Sequence, residues 1–180
     1  MKKTILSIAL VLATGLIFAQ KKTTTSATVN FDATTSLDKL PHAENKTVIA
    51  SLDTKTGKLA FEVVIKNFAF ANPRIQEHFN GAGWMDSEQF PLATFKGSIN
   101  NLSSIKFTKD GTYSAEVKGD LTIHGVTKPV ETKATITVNS SSTTATADFT
   151  IKLEDYGVNG PAVGAGKVSK EPQITVTAVF

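Results

Sequence analysis

The sequence predicts an all-β, antiparallel domain, and three observations carry that prediction. After residue 26, apolar and polar residues alternate with period two in segments rich in Thr, Val, Ile and Phe. Turn signals such as Asp53-Thr54-Lys55-Thr56-Gly57 and Lys109-Asp110-Gly111 separate these segments. No segment there keeps apolar residues at helical spacing over three turns. A chain of 180 residues is long enough for one domain with a sizeable core.

Residues 1–19 read as a Sec export signal. Lys2 and Lys3 form a positive start, an apolar run of 15 residues covers 4–18, and Ala19 is a small residue at the expected cut. That run is shorter than the about 20 residues of a membrane span. A periplasmic or secreted mature chain is therefore expected, with no stable membrane insertion after signal removal. Residues 20–26 (QKKTTTS) are polar and read as a flexible leader, which leaves 27–180 as the folded domain.

The strands follow in order. Residues 28–34 place Val29, Phe31 and Ala33 on one face, and 47–52 form a short second strand. Residues 58–66 align Leu59, Phe61, Val63 and Ile65 against Lys58, Glu62 and Lys66 on the other face. Residues 93–99 align Phe95, Gly97 and Ile99, and 104–107 add a short piece. Residues 113–123, 128–138, 145–153 and 173–180 complete the set, with Leu121, Val130, Phe149, Leu153 and Ile174 on their apolar faces. Eight to nine strands with one apolar face each must pack as two layers or close on themselves. Closure removes exposed edges, and consecutive hairpins favour an up-and-down barrel over a sandwich.

Two stretches lack the alternation. Residues 67–91 carry Phe68, Phe70, Phe79, Trp84 and Phe90, with a short helical turn expected from Pro73 behind an Asn72 cap. Residues 154–172 are rich in Gly and Pro and read as a lid or connection. Long unpatterned loops in a compact domain are usually functional.

Several chemistries are excluded or disfavoured. The chain has no cysteine, so disulfides, thiolate metal sites and a cysteine nucleophile are out. Loss of Lys2 and Lys3 with the signal takes the basic count from 19 to 17 against 16 acidic residues, which gives no reason to expect a nucleic-acid partner. Arg74, Glu77 and His78 form a polar group among the aromatics of 67–91, but Gln-Glu-His lacks the second His of a zincin. We read the three as a polar cluster that orders the loop at a pocket mouth. An enzyme using His78 with Glu77 or Arg74 is the alternative. The segment 157–170 lacks the Gly-Lys-Ser/Thr of a phosphate loop. No catalytic residue, metal or cofactor is expected. His124-Gly125 reads as a hairpin turn.

Three blocks together resemble the YceI-like family. The first comprises Gln76-Glu77-His78-Phe79, Trp84-Met85-Asp86-Ser87 and Phe90-Pro91-Leu92-Ala93-Thr94-Phe95-Lys96-Gly97. The second is 119–130, with Gly119, Leu121, Thr122, His124, Gly125, Val126, Thr127, Lys128 and Val130 in the family's spacing. The third runs from Phe149-Thr150-Ile151 to Asp155-Tyr156-Gly157-Val158. Where many members have Arg-x-x-His-Leu and a double Phe, this chain has Arg74 four residues before His78 and Gly83-Trp84-Met85-Asp86. The resemblance implies an eight-stranded lipocalin-like antiparallel barrel, exported and without catalytic machinery. It also implies a long-chain isoprenoid or another amphiphilic lipid held inside the barrel.

Under that reading the lipid-binding wall comprises Phe31, Phe61, Val63, Ile65, Phe95, Leu121, Phe149 and Leu153. Phe68, Phe70, Phe79 and Trp84 line the entrance. A barrel with a filled core and a purely structural role is the competing reading. The residues leave both a monomer and a homodimer open.

Overall fold

The computed structural model describes residues 21–180, so the export signal expected at 1–19 lies outside the described residues. The strands are β1 (Lys21–Asp32), β2 (His42–Asp53), β3 (Lys58–Val64), the two-residue β4 (Ala69–Phe70), β5 (Leu92–Ile99), β6 (Gly111–Ile123), β7 (Val126–Asn139), β8 (Ser142–Thr150) and β9 (Gln173–Val179). Two helices, α1 (Pro73–Asn80) and the single turn α2 (Pro161–Gly164), lie in the connections. All ladders are antiparallel, and they run β1-β9-β8-β7-β6-β5-β3-β2 before β2 returns to β1. Eight strands therefore close a barrel, and β4 prolongs the line of β3 along the start of β2 through Ala43–Phe70 and Glu44–Ala69.

Strand direction alternates around this ring. One end therefore collects the connections β1–β2, β3–β5, β6–β7 and β8–β9, which include both unpatterned loops. The other end carries only the tight β2–β3 and β7–β8 turns and the β5–β6 connection. The two long loops meet where Gly160 approaches the Gly83 carbonyl so closely that an added Cβ would lie 3.2 Å from it. Ser169 donates its backbone N–H to the Ala33 carbonyl at 2.8 Å, which ties the second loop to the end of β1.

Three expectations need correction. Residues 21–26 are not a leader: Lys21, Lys22, Thr23 and Thr24 pair with Asp53, Leu52, Ser51 and Ala50, which extends β1 and helps close the ring. Thr favours extended backbone, but a polar Thr run carries no apolar alternation to announce it. Residues 104–107 are no strand; a 3₁₀ turn at Leu102–Ser104 folds over the barrel end and buries Ile105. Ile65 and Leu153 end apolar alternations, yet both begin 3₁₀ turns, Ile65–Asn67 and Leu153–Tyr156. Their apolar side chains still point inward and are buried.

The His124-Gly125 turn has both residues at positive φ, 51° and 74°. That geometry matches the twist of a two-residue hairpin. Pro129 lies on β7 before the β7–β8 ladder, which spans Ala134–Asn139 on β7. Its missing N–H therefore costs no bond to β8.

Polar side chains repair the ladder where strands bend. Asn45 is fully buried; its Nδ2 donates to the Val64 carbonyl at 2.9 Å, and its Oδ1 accepts from Thr47 N and Oγ1 at 2.9 Å each. These bonds replace ladder bonds where β3 gives way to the 3₁₀ turn. Asn101 does the same between β5 and β6, donating to the Ser114 carbonyl and accepting from Glu116 N. Replacing Asn45 by Ala leaves the Val64 carbonyl without this donor and Thr47 without this acceptor. We expect a loss of roughly 1–3 kcal/mol in urea denaturation, well above the effect of Lys46→Ala next to it.

Candidate functional site

The barrel interior is not filled. A cavity of about 170 Å³ runs along it. A void that holds one water needs only about 10–15 Å³ on this measure, so this space is an order of magnitude beyond a packing defect. Its wall is apolar except for Thr94 and Thr132. Phe61, Phe95, Phe149, Ile174 and Val176 pack against the core cluster but are only partly buried. They line the cavity, so part of their surface faces empty space within the ring.

Ten of the residues named from sequence lie in this wall: Phe31, Phe61, Val63, Ile65, Phe68, Phe79, Phe95, Leu121, Phe149 and Leu153. Phe70 and Trp84 do not; they sit behind the wall against Phe79. The wall also includes Met85, Leu59, Ile99, Ile136 and Phe180. Leu59, Ile99 and Ile136 on their strands, and Phe180 one residue past β9, are legible from alternation, whereas nothing in the sequence marks Met85 as inward.

The loop-bearing end is closed by an aromatic cluster centred on Phe79. Its ring lies 4.9 Å from Phe70, 5.4 Å from Trp84, 5.7 Å from Phe68 and 5.8 Å from Phe31 between centroids, in tilted or edge-on arrangements. Such geometry suits the aromatic quadrupole. Helix α1 presents Phe79. Asn72 caps it by accepting from Arg74 N at 2.9 Å, and Pro73 opens the first turn. The chain after α1 is held by Met85 N on the Phe79 carbonyl and by Ser87 N and Oγ on the Asn80 carbonyl.

Arg74, Glu77 and His78 do not form the expected cluster. All three are exposed on α1, and Phe79 is that helix's buried residue. None is in the cavity wall. The loop is ordered instead by the Asn72 cap, by Gln76 Oε1 accepting from Phe70 N, and by Asn80 Nδ2 donating to the Gln76 carbonyl. Among the described residues, no group of three or more His, Asp or Glu side chains is placed to hold a metal. Two buried polar atoms at this end lack a hydrogen-bond partner, Trp84 Nε1 and Asn80 Oδ1.

A second layer backs the cluster. The His124 ring packs on Phe90 at 4.4 Å, and its Nδ1–H donates to the Tyr156 carbonyl at 3.3 Å. Tyr156 is buried, and burial, helped by the Asp155 charge, raises its phenol above the ordinary value.

Phe79→Ala removes the hub of the aromatic end and should cost about 3–5 kcal/mol in denaturant unfolding. His78→Ala, on the exposed face, should stay within about 0.5 kcal/mol. The raised phenol of Tyr156 predicts an alkaline limit. The unfolded chain releases this proton first, above about pH 10. Stability present below that pH is then lost as pH rises toward the folded value. Tyr156→Phe should flatten that alkaline loss in a pH series of thermal melts.

Comparison with known proteins places this geometry. A UPF0312 protein of Pseudomonas putida is 36% identical over 109 residues, covering 57% of this chain and 52% of that protein. One of Pseudomonas fluorescens is 31% identical over 113 residues, covering 59% and 55%. The chain thus spans about half the length of these curated relatives. The crystal structure of Burkholderia cenocepacia BcnA superposes with a TM-score of 0.71 at 20% identity, covering 86% of this chain and 96% of that one. A polyisoprenoid binding domain from Saccharophagus degradans, implicated in plant cell wall breakdown, superposes at 0.74 and 11% identity, covering 89% and 97%. At these identities the two structures speak to the fold alone. The model of the YceI-like domain matches residues 16–180, and the chain belongs to that family.

Proposed function

We propose that this protein is an exported carrier that sequesters one long apolar chain, of an isoprenoid or another amphiphilic lipid, inside its barrel. The observation that carries this reading is the cavity: a wall of carbon around a space too large for a packing fault. Apolar space of this kind stays dry and favours apolar guests. Each CH₂ moved from water into it contributes about 0.8 kcal/mol, so one isoprene unit contributes roughly 3–4 kcal/mol. Micromolar binding needs about 8 kcal/mol net. A few units reach it after the cost of immobilising the chain.

The neighbour described as a polyisoprenoid binding domain agrees with a ligand of this class. Binding rather than catalysis is favoured because Arg74, Glu77 and His78 stand outside the cavity wall. Export rests on the sequence of residues 1–19.

Native mass spectrometry of the protein recovered from a periplasmic extract should show a chain lacking the first 19 or so residues with an apolar adduct of several hundred daltons, released by organic extraction. A protein that returns empty, and that takes up no prenyl alcohol or fatty acid on titration, would refute the carrier reading.

A further inference from the structure

The cavity passes two packed regions. One is centred on the aromatic end, the other on Leu52, Ile99, Ile105 and Ile136 at the tight-turn end. Among the described residues, Phe95 and Phe180 alone pack against both. They mark a waist, and a benzyl group projecting radially from Phe95 would narrow it. Phe95 does not project that way. Two residues along β5, Gly97 pairs directly with Gly119 of β6, and both share the inward face of Phe95. A Cβ built on Gly97 would lie 2.7 Å from the Phe95 Cζ, and one on Gly119 would lie 2.6 Å from the same atom. The tip of the ring therefore occupies the notch left by two absent side chains. The ring leans along the wall instead of across the lumen.

We propose that the Gly97–Gly119 pair is a recess that parks Phe95 and keeps the cavity continuous from end to end, and that this sets the longest chain the barrel accepts. The proposal rests on the carrier reading above. Loss of the recess drives the ring into the lumen and splits the space, so short chains still fit near the mouth and long ones do not. A Cβ on Gly119 also meets the Lys96 carbonyl at 2.4 Å, and one on Gly97 meets the Lys118 carbonyl at 2.5 Å. Glycine substitution therefore strains the β5–β6 ladder as well, and the test must separate strain from gating.

Binding of geraniol, farnesol and geranylgeraniol, measured by displacement of a fluorescent fatty acid, provides it. Affinity of the unaltered protein should rise with each added isoprene unit. Gly119→Ala should weaken geranylgeraniol by at least about tenfold, or ~1.4 kcal/mol, with geraniol within about threefold. Phe95→Trp keeps both glycines and blocks the waist with a larger ring; it should show the same length-selective loss even if Gly119→Ala does not fold. Adding Phe95→Leu to Gly119→Ala removes the displaced ring and should restore the long-chain preference. Equal weakening of all three alcohols by Phe95→Trp, or a folded double variant that still loses the long chains selectively, overturns the gate while leaving the carrier reading intact. An unaltered protein that binds neither the fluorescent fatty acid nor any of the three alcohols overturns both.

Discussion

The structure depends on closing one antiparallel ladder around a lumen that its own side chains leave unfilled. A globular core normally packs as densely as an organic crystal, and contact between side chains carries much of its stability. Here the backbone ring takes over part of that role. Every barrel strand has a hydrogen-bonded neighbour on both sides, and the β1–β2 ladder supplies the last join. The Thr run at the start of β1 belongs to that join, so residues without any inward apolar side chain help hold the apolar interior together. Where a strand must bend, Asn45 and Asn101 carry the bonding that the ladder gives up.

A lumen held open at its sides must be closed at its ends, and the two ends are closed by different means. The tight-turn end is packed with aliphatic residues around Ile99, Ile105, Ile136 and Val138. The loop end is closed by aromatic rings around Phe79, carried on one short helix between long connections. A short helix is marginal on its own, so α1 is held by its cap and by burial of Phe79. Local openings draw on regions of this kind, in which few elements share the burden. The asymmetry gives the barrel one aliphatic floor and one aromatic end carried on a single short helix.

Much of this was legible in the sequence, and the failures have physical reasons. Alternation located the long strands because each has one wet and one dry face, and Asn72-Pro73 announced α1 by capping chemistry. Alternation carries Ile65 and Leu153 into strands because a 3₁₀ turn that follows a strand continues its apolar spacing for one more residue. Ile105 and Phe107 alternate as a short strand would, yet both pack at the tight-turn end after the 3₁₀ turn Leu102–Ser104. Arg74, Glu77 and His78 drew attention because ionisable residues among aromatics suggest chemistry. On α1 they occupy the exposed face, and only the helical phase, fixed by Phe79, decides that. The Gly97–Gly119 recess was beyond reach of a linear reading, because neither glycine means anything until the β5–β6 register sets them side by side.

The empty lumen has a cost that bears on how the barrel works. By the scaling seen when cavities are made in protein cores, about 24 cal/mol per Å³, a void of about 170 Å³ corresponds to ~4 kcal/mol of forgone packing. That is a sizeable part of the 5–15 kcal/mol that separates folded from unfolded domains. A barrel selected for stability alone would have filled the space, and placing Phe in place of Ala145 or Ala147 on the inward face of β8 would go far toward it. The chain keeps small residues there and leans Phe95 into a recess of two glycines, each unfavourable within a strand. Under the carrier reading, an apolar guest entering the lumen would supply the missing contacts, and occupancy and stability would be linked through one free energy.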